Sequence, residues 1–416
     1  MQLSQVRIKA AHLHSNPERL KSLPHSFKAD CLRSLLKPSH CDQVQSDHKV
    51  LRQGTHRCCT AEQTWQRLQP LLPQAGITRV ADITQLDSVG LPVFQAVRPH
   101  SRALAVSQGK GLTPLLAKVS AVMESLESWS AEQIPVAVTR QRASDLGLAY
   151  DPSQLARHGY GQLARQIRLD WATAVDLHRG DATYVPHAFV ALDWSVGHNW
   201  AVEPFLATSN GLASGNSRNE ALVHAINELV ERFTMAKPAG QPQPIDPATL
   251  PGGSSRIMVE LIQSGGHRLS LLWWPSAIGL PVFSATLHCE QLPQLFGGYG
   301  AHLDADVALS RAISEAAQSR LTRIAGARDD LCPWNAINTA QSGTTTPTAS
   351  EHISLEAVQE KAEQAGLRPG STLNDDLNSL LGALEPYTLL ALDLTPLEGI
   401  HVLRVVSPEL DTLSPS

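Results

Sequence analysis

The sequence predicts an α/β protein, α+β in layout, with mixed and mostly antiparallel sheets flanked by helices. Two recurrences predict it. A helix–strand–turn–strand module appears three times, and a glycine turn leads three times into a helix that carries the same polar code.

The module is read from alternating apolar residues bounded by turn residues. Helix-like stretches at about 61–75, 255–265 and 373–384 each precede a β-like run. Those runs are Thr78-Arg-Val-Ala-Asp-Ile, Leu269-Ser-Leu-Leu-Trp-Trp and Leu389-Leu-Ala-Leu-Asp-Leu. After each comes a second strand: Gly90-Leu-Pro-Val-Phe-Gln-Ala-Val, Gly279-Leu-Pro-Val-Phe-Ser-Ala-Thr and Gly399-Ile-His-Val-Leu-Arg-Val-Val. Repetition of this kind points to one intertwined domain, at 47–410. Residues 1–46, rich in His, Lys, Arg and Ser, read as a flexible N-terminal extension. A basic docking arm, or translated sequence upstream of the true start, would look the same. Residues 411–416 are a short tail. The Pro- and Gly-rich stretch 236–256 and the Thr-rich stretch 337–353 read as loops. Residues 186–206, with Asp193, Trp194 and Trp200, read as strands leading into the central motif.

Composition narrows the function classes. Of 416 residues, 42% are hydrophobic and 18% charged, which allows a sizeable core. A net charge of −5 argues against a nucleic-acid surface. No apolar run approaches the length of a membrane span and no signal-peptide pattern is present, so the chain reads as cytoplasmic. The six cysteines, Cys31, Cys41, Cys58, Cys59, Cys289 and Cys332, form no CxxC and fit neither a disulfide framework nor a zinc site. They read as buried or free thiols.

The polar code begins in Ser209–Phe233. At about 100° per residue, Glu220, His224, Asn227, Glu228 and Glu231 share one helix face. Leu222, Ile226, Leu229 and Phe233 share the other. Aligned carboxylates repel one another, and a hard cation such as Mg²⁺ would reverse that cost. A solvated acidic face would carry the same pattern. Two further helices repeat it. Ser120, Glu124 and Glu127 follow Gly109, and Arg311, Glu315 and Gln318 follow Gly300, with the first glutamate fifteen residues after its glycine. After Gly211 the interval to Glu228 is seventeen. Three helices with one code point to a single polar pocket suited to a metal–polyphosphate complex.

Cations near the code have two readings each. Lys110 lies in a Gly-Lys-Gly turn before a helix, a natural anion site, although the chain has no Walker A pattern. A surface lysine fits equally. Arg232 could reach a phosphate or pair with Glu228, and Arg311 could do so or pair with Glu315. His224 is a metal ligand, another polar group of the pocket, or a structural histidine. No Ser/His/Asp triad is readable, and Cys289 and Cys332 read as packed thiols.

The run S-x-G-L-A-S-G followed by E-A-x-x-H-A-x-x-E-x-x-E-R resembles the signature of the YcaO proteins. The likeness extends over about 47–410. It takes in Lys110, Ser120, Glu124 and Glu127, and Arg311, Glu315, Gln318 and Arg320. It implies a YcaO-like fold around an ATP cleft and an enzyme that uses ATP to phosphorylate the oxygen of a peptide backbone amide. By motif position, Glu127, Glu220, Glu228, Glu231 and Glu315 would hold Mg²⁺. Lys110, Ser120, Glu124, Arg232, Arg311 and Gln318 would serve the nucleotide. The azoline-forming members resemble one another in a PxPxP tail, which Leu410-Asp-Thr-Leu-Ser-Pro-Ser lacks. Thr55-His-Arg, Val106-Ser-Gln-Gly-Lys-Gly and Ala325-Gly-Ala-Arg-Asp-Asp look like the TfuA-associated, thioamide-forming branch. That branch implies a TfuA-like partner, a peptide or protein substrate and a sulfur donor, and the family suggests a homodimer. The alternatives are an azoline-forming cyclodehydratase, a non-catalytic accessory factor for ribosomal-protein methylthiotransfer, and an α/β protein whose acidic helices simply face solvent.

Overall fold

Three antiparallel sheets, each backed by a long helix, form the framework of the fold. The computed structural model describes residues 47–195, 203–289, 294–328, 330, 351–396 and 398–411. The expected extension at 1–46, the tail beyond 411, Cys31, Cys41, Cys332, Trp200 and the Thr-rich loop through 350 lie outside the described residues.

Helix α1 (Ala61–Leu68) opens with a reciprocal capping box between Thr60 and Gln63. Strands β1 (Arg79–Asp82), β2 (Val93–Val97) and β3 (Val106–Lys110) follow as one sheet. Then comes α2 (Pro114–Ala131), started by the Thr113 side chain and a proline in its first turn. Helix α2 lies on this sheet, with α1 beside it.

The chain continues through β4 (Val138–Gln141), α3 (Gly161–Gln166), β5 (Leu169–Asp176), β6 (Ala182–Pro186) and the single turn α4 (His187–Val190). The expected strands over 186–206 are corrected here. Beyond Pro186 the described backbone groups go to separate loop partners rather than to a ladder. Trp194 N–H donates to Arg102 O, Ser195 N–H to Asp193 Oδ1, and Pro204 O accepts from Arg157.

Strand β7 (Leu212–Gly215) then leads into α5 (Arg218–Ala236), capped by Ser217. Next come β8 (Gln243–Ile245), α6 (Ser254–Ser264), β9 (Arg268–Trp274), β10 (Val282–His288), β11 (Phe296–Ala301) and α7 (Ala305–Ala325). The expected loop at 236–256 thus contains an edge strand. Its proline, Pro244, is tolerated because β8 pairs on one side only, with β9. The chain closes with α8 (Leu355–Gln364), α9 (Leu373–Ala383), β12 (Leu390–Asp393) and β13 (His401–Val406).

The sheets run β1-β2-β3, β11-β10-β9-β8, and β4-β5-β12-β13-β7 with β6 on β5. Every strand pair among the described residues is antiparallel. The two recurrences of the sequence are one structural unit: a helix, three antiparallel strands and a long helix. It occurs as α1-β1-β2-β3-α2 and as α6-β9-β10-β11-α7. The third copy is permuted. Its opening helix and two strands, α9-β12-β13, are completed by β7 and α5 from earlier in the chain. Each core lies between sheet and helix, where Leu126, Ile226, Leu229, Phe283 and Ile313 are almost fully enclosed. Burying such a side chain contributes roughly 1.5–3 kcal/mol.

Gly109 and Gly300 set the helix-to-sheet distance. A Cβ at Gly109 would lie 1.9 Å from Ala121 N and 2.4 Å from Ala117 O; one at Gly300 would lie 2.1 Å from Ala308 O. Each glycine stands four residues before a helix cap, Thr113 or Asp304, and fifteen before a glutamate, Glu124 or Glu315. In the permuted unit the residue at that place is Ala213, not Gly211. Gly211 precedes β7 with φ of 69° and packs on Val405, so a left-handed backbone is what requires glycine there. Gly109→Ala is expected to destabilise the protein by about 3 kcal/mol or more, since helix backbone cannot yield as a side chain would. Urea unfolding measures this, and a wild-type midpoint would show that α2 can lift off β3.

Candidate functional site

The polar faces of α2, α5 and α7 line one cleft of about 510 Å³. All eleven residues singled out from the sequence border it: Lys110, Ser120, Glu124, Glu127, Glu220, Glu228, Glu231, Arg232, Arg311, Glu315 and Gln318. The solvated-face reading is therefore replaced by an enclosed acidic wall.

Strand backbone fixes several of the carboxylates. Gln108 N–H donates to Glu124 Oε1 at 3.4 Å, and Tyr299 N–H to Glu315 Oε2 at 3.1 Å. These are the same contact in two copies of the unit, sixteen residues apart in each. Glu127 is held across units, by Ser214 N–H at 2.7 Å and Ser214 Oγ at 2.6 Å. Burial pushes Glu127 up to about 8, reinforced by the charges of Glu124 and Glu228 and opposed by the Ser214 hydroxyl. Burial and the charge of Glu315 push Glu231 up to about 8. Burial also raises Glu124 and Glu228.

Cations border the same wall. Arg232 pairs with Glu228 at 3.0 Å, as one of its two sequence readings had it, while more than half of its own side chain stays exposed. Arg311 pairs with His224 rather than with Glu315: its Nη1 donates to His224 Nε2. A guanidinium only donates, so His224 carries its proton on Nδ1, which has no partner. Burial first, then Arg311, holds this histidine well below 6.5 and therefore neutral. His224 thus orients Arg311. Lys110 is the last residue of β3 and pairs in register with Val93, so it reaches the cleft from a strand end and not from a helix turn.

Glu220, expected in the metal set, borders the cleft with its carboxylate already engaged by protein donors. Its two oxygens accept from Arg57 Nη1, Cys58 N–H, the Cys58 thiol, Asn216 N–H and Asn216 Nδ2, at 2.9–3.2 Å. Five donors saturate a carboxylate that offers about four lone pairs. Glu220 ties the 57–58 segment to the start of α5.

The remaining residues fit a hard cation and a polyphosphate. The charges of Glu124 and Glu228 help to raise Glu127, and those of Glu315 and Glu228 help to raise Glu231, an arrangement that a divalent cation relieves. Arg311 Nε and Gln318 Oε1 are buried without a hydrogen-bond partner. They supply the donor and the acceptor that a bound nucleotide would satisfy.

Sequence reasoning missed several residues of the cleft. Ser214 stood inside the S-x-G-L-A-S-G run but without a role. Arg328, which is hydrogen-bonded to Asp330, also borders the cleft and its charge acts on Glu124. Cys59 borders it too. The neighbouring Cys58 thiol holds Cys59 down at about 7, while Cys58 itself is pushed up.

Among the described residues, His56, His302 and Asp376 also bring possible ligand atoms within 4.8 Å of one another. Lys49 Nζ already lies 2.6 Å from Asp376 Oδ2, with both side chains fully buried. Burial, Lys49, Arg52 and Arg57 push His56 down to about 3. So cationic a setting disfavours a further cation.

Comparison with known proteins places this geometry. A family model described as YcaO cyclodehydratase, ATP- and Mg²⁺-binding, matches residues 108–411. An uncharacterized protein of Mycobacterium tuberculosis is 44% identical over 285 residues, covering 67% of this chain and 65% of its own length. The chain thus spans somewhat less than two thirds of that relative. An uncharacterized protein in the tfuA 3′ region of Rhizobium leguminosarum bv. trifolii is 36% identical over 296 residues, covering 67% of this chain and 69% of its own length. The structure of YcaO from Methanopyrus kandleri, bound with AMPPCP and Mg²⁺, superposes with a TM-score of 0.66 at 23% identity, covering 87% of this chain and 94% of that one. A heterocyclase in complex with substrate and cofactor gives 0.68 at 20% identity, covering 88% of this chain and 55% of that one.

Proposed function

The chain belongs to the YcaO family, and from that premise we propose that it is an ATP-dependent enzyme that phosphorylates the oxygen of a peptide backbone amide for thioamide formation. The observation that carries the reading is the acidic cleft in which three helix faces meet four arginines and a lysine.

An amide oxygen is a poor leaving group, and ATP with Mg²⁺ supplies the phosphoryl group that turns it into one. The chain's own residues then have separate tasks. Glu127, Glu228, Glu231 and Glu315 would hold the metal. Lys110, Arg232 and Arg311 would bind phosphate oxygens, and Ser120, Glu124 and Gln318 the rest of the nucleotide. His224 holds the guanidinium of Arg311 in place, so that positioning precedes the reaction.

The tfuA setting of the Rhizobium relative favours the thioamide branch and a TfuA-like partner that presents the peptide or protein substrate. The family description favours a second reading, cyclodehydration to an azoline. Product mass separates them. Exchange of oxygen for sulfur adds about 16 Da, whereas loss of water removes about 18 Da, since a side-chain nucleophile then replaces the external sulfur. We expect the gain, dependent on ATP, in a peptide treated with the protein, a TfuA-like partner and sulfide. A loss of 18 Da would give the chain to the second reading. A cytoplasmic site of action, where ATP is supplied, accords with both. Among the described residues no helix is long and apolar enough to cross a membrane.

A further inference from the structure

Amide activation leaves one thiol of the cleft wall, Cys59, and its neighbour Cys58 without a task. Cys58 and Cys59 are buried and form no disulfide. Cys59 borders the same cleft as Glu228 and Glu231. Cys58 is fixed beside it, its N–H 2.9 Å and its Sγ 3.2 Å from Glu220 Oε2. Glu220 lies on α5, two turns before Glu228. The pair is therefore tied to the helix that carries the carboxylates, and Thr60 starts α1 directly after it. Cys289, the third cysteine of the described residues outside any disulfide, does not border this cleft.

This inference rests on the thioamide reading. That reaction requires sulfur as a nucleophile at the activated carbon, inside the cleft and away from water. We propose that Cys59 carries the incoming sulfur as a persulfide and that Cys58 releases it. The Cys59 thiolate attacks the sulfane sulfur of a donor persulfide and displaces the donor's thiolate, giving Cys59–S–SH. The terminal sulfur loses its proton and adds to the activated amide carbon. Phosphate departs with the C–O electron pair, which leaves Cys59 Sγ joined through the second sulfur to that carbon. Cys58 Sγ then attacks Cys59 Sγ as its proton passes to Glu220 Oε2, 3.2 Å away. The bond between the two sulfurs breaks, its electron pair stays on the sulfur bound to carbon, and protonation of nitrogen gives the thioamide. The sulfane sulfur has been reduced, and Cys58 and Cys59 have been oxidised to a disulfide, which two equivalents of a small thiol reduce.

Adjacency suits this last step. Neighbouring Cα atoms stand about 3.8 Å apart, closer than ordinary disulfides allow, and a strained disulfide is readily reduced. Glu220 accepts from the Cys58 thiol and holds it beside Cys59 until that step.

Two measurements test the proposal, both on the full chain. In the first, reduced protein is treated with polysulfide, desalted, alkylated and mapped by mass. We expect a gain of about 32 Da on Cys59, retained in Cys58→Ser and absent from Cys59→Ser and Cys59→Ala. An equal gain on Cys289 overturns the assignment. In the second, thioamide formation is compared with polysulfide and with sulfide as the sulfur source. Cys59→Ser should lose at least a hundredfold with polysulfide and be rescued by sulfide, and Cys58→Ser should accumulate the protein–peptide adduct. Undiminished polysulfide turnover in Cys59→Ser overturns the relay and leaves the thioamide reading standing. A wild-type protein that makes no thioamide from either source overturns that reading, and the relay with it.

Discussion

Glu231→Gln is expected to abolish Mg-ATP binding without harming the fold. Glu231 is buried, and its neighbours Glu228 and Glu315 share the cleft. Burial and the Glu315 charge push its carboxyl up to about 8. Near pH 7 the side chain is therefore largely protonated without a ligand, and glutamine matches the neutral acid in shape and polarity. The ligand-free variant should melt at or above the wild-type temperature. A bound cation changes the comparison, because it requires the carboxylate. Losing one anionic ligand from a dehydrated site costs on the order of 4 kcal/mol, about a thousandfold in affinity. Calorimetric titration of Mg-ATP reads the loss directly. Binding within a few-fold of wild type would remove Glu231 from the metal set. Glu220→Gln makes a useful contrast. It disturbs the bonds to Arg57, Cys58 and Asn216, so its effect should fall first on thermal stability.

The eleven-residue wall was legible in the sequence because helical periodicity is local. Ser120, Glu124 and Glu127 share a face by angular count alone, as do Arg311, Glu315 and Gln318, and burial of the opposite faces follows from the same count. The strands of each module were legible for a similar reason, since their apolar alternation and bounding turns lie within a few residues of one another. What could not be read depends on partners far apart in the chain. Arg57 and Cys58 saturate Glu220 from more than 160 residues away, and nothing near Glu220 announces them. His224 was left open because its partner, Arg311, lies on another helix. The permuted unit concealed its own equivalence. Gly211 stands near the expected spacing, yet Ala213 holds the structural place. Alanine replaces glycine there, and a search for glycine passes over it.

Local chemistry also misled in two places. Pro244 and its neighbours read as a loop because proline weakens a strand, but an edge strand has one side on which a missing N–H is harmless. Residues 187–195 are apolar enough to suggest a strand, yet His187–Val190 close a helical turn, and beyond it Asp193 bonds Ser195 N–H and pairs with Arg102, committing the backbone to a loop.

The second large effect is a pH dependence with a definite sign. Glu127 and Glu231 both have carboxyls pushed up to about 8, chiefly by burial. Unfolded, they would titrate near 4.5. Between these values the folded state holds protons that the unfolded state has lost, so these two groups destabilise the ligand-free fold increasingly as pH rises from about 4.5 to about 8. Metal binding reverses the balance, because a coordinating carboxylate must give up its proton. Mg-ATP should accordingly bind more tightly as pH rises toward 8. The gain should approach tenfold per pH unit for each proton released, as linkage requires. It should level off above 8, where the sites are already ionised. The stabilisation that Mg-ATP adds to the melting temperature should be larger at high pH than at low, while the ligand-free protein moves the other way. Calorimetry in two buffers of different ionisation enthalpy counts the protons directly. Release of at least one proton at pH 7 accords with carboxylates that meet the cation after losing a proton. Binding that is flat with pH and silent in protons would mean that the cation is held elsewhere, by groups already charged.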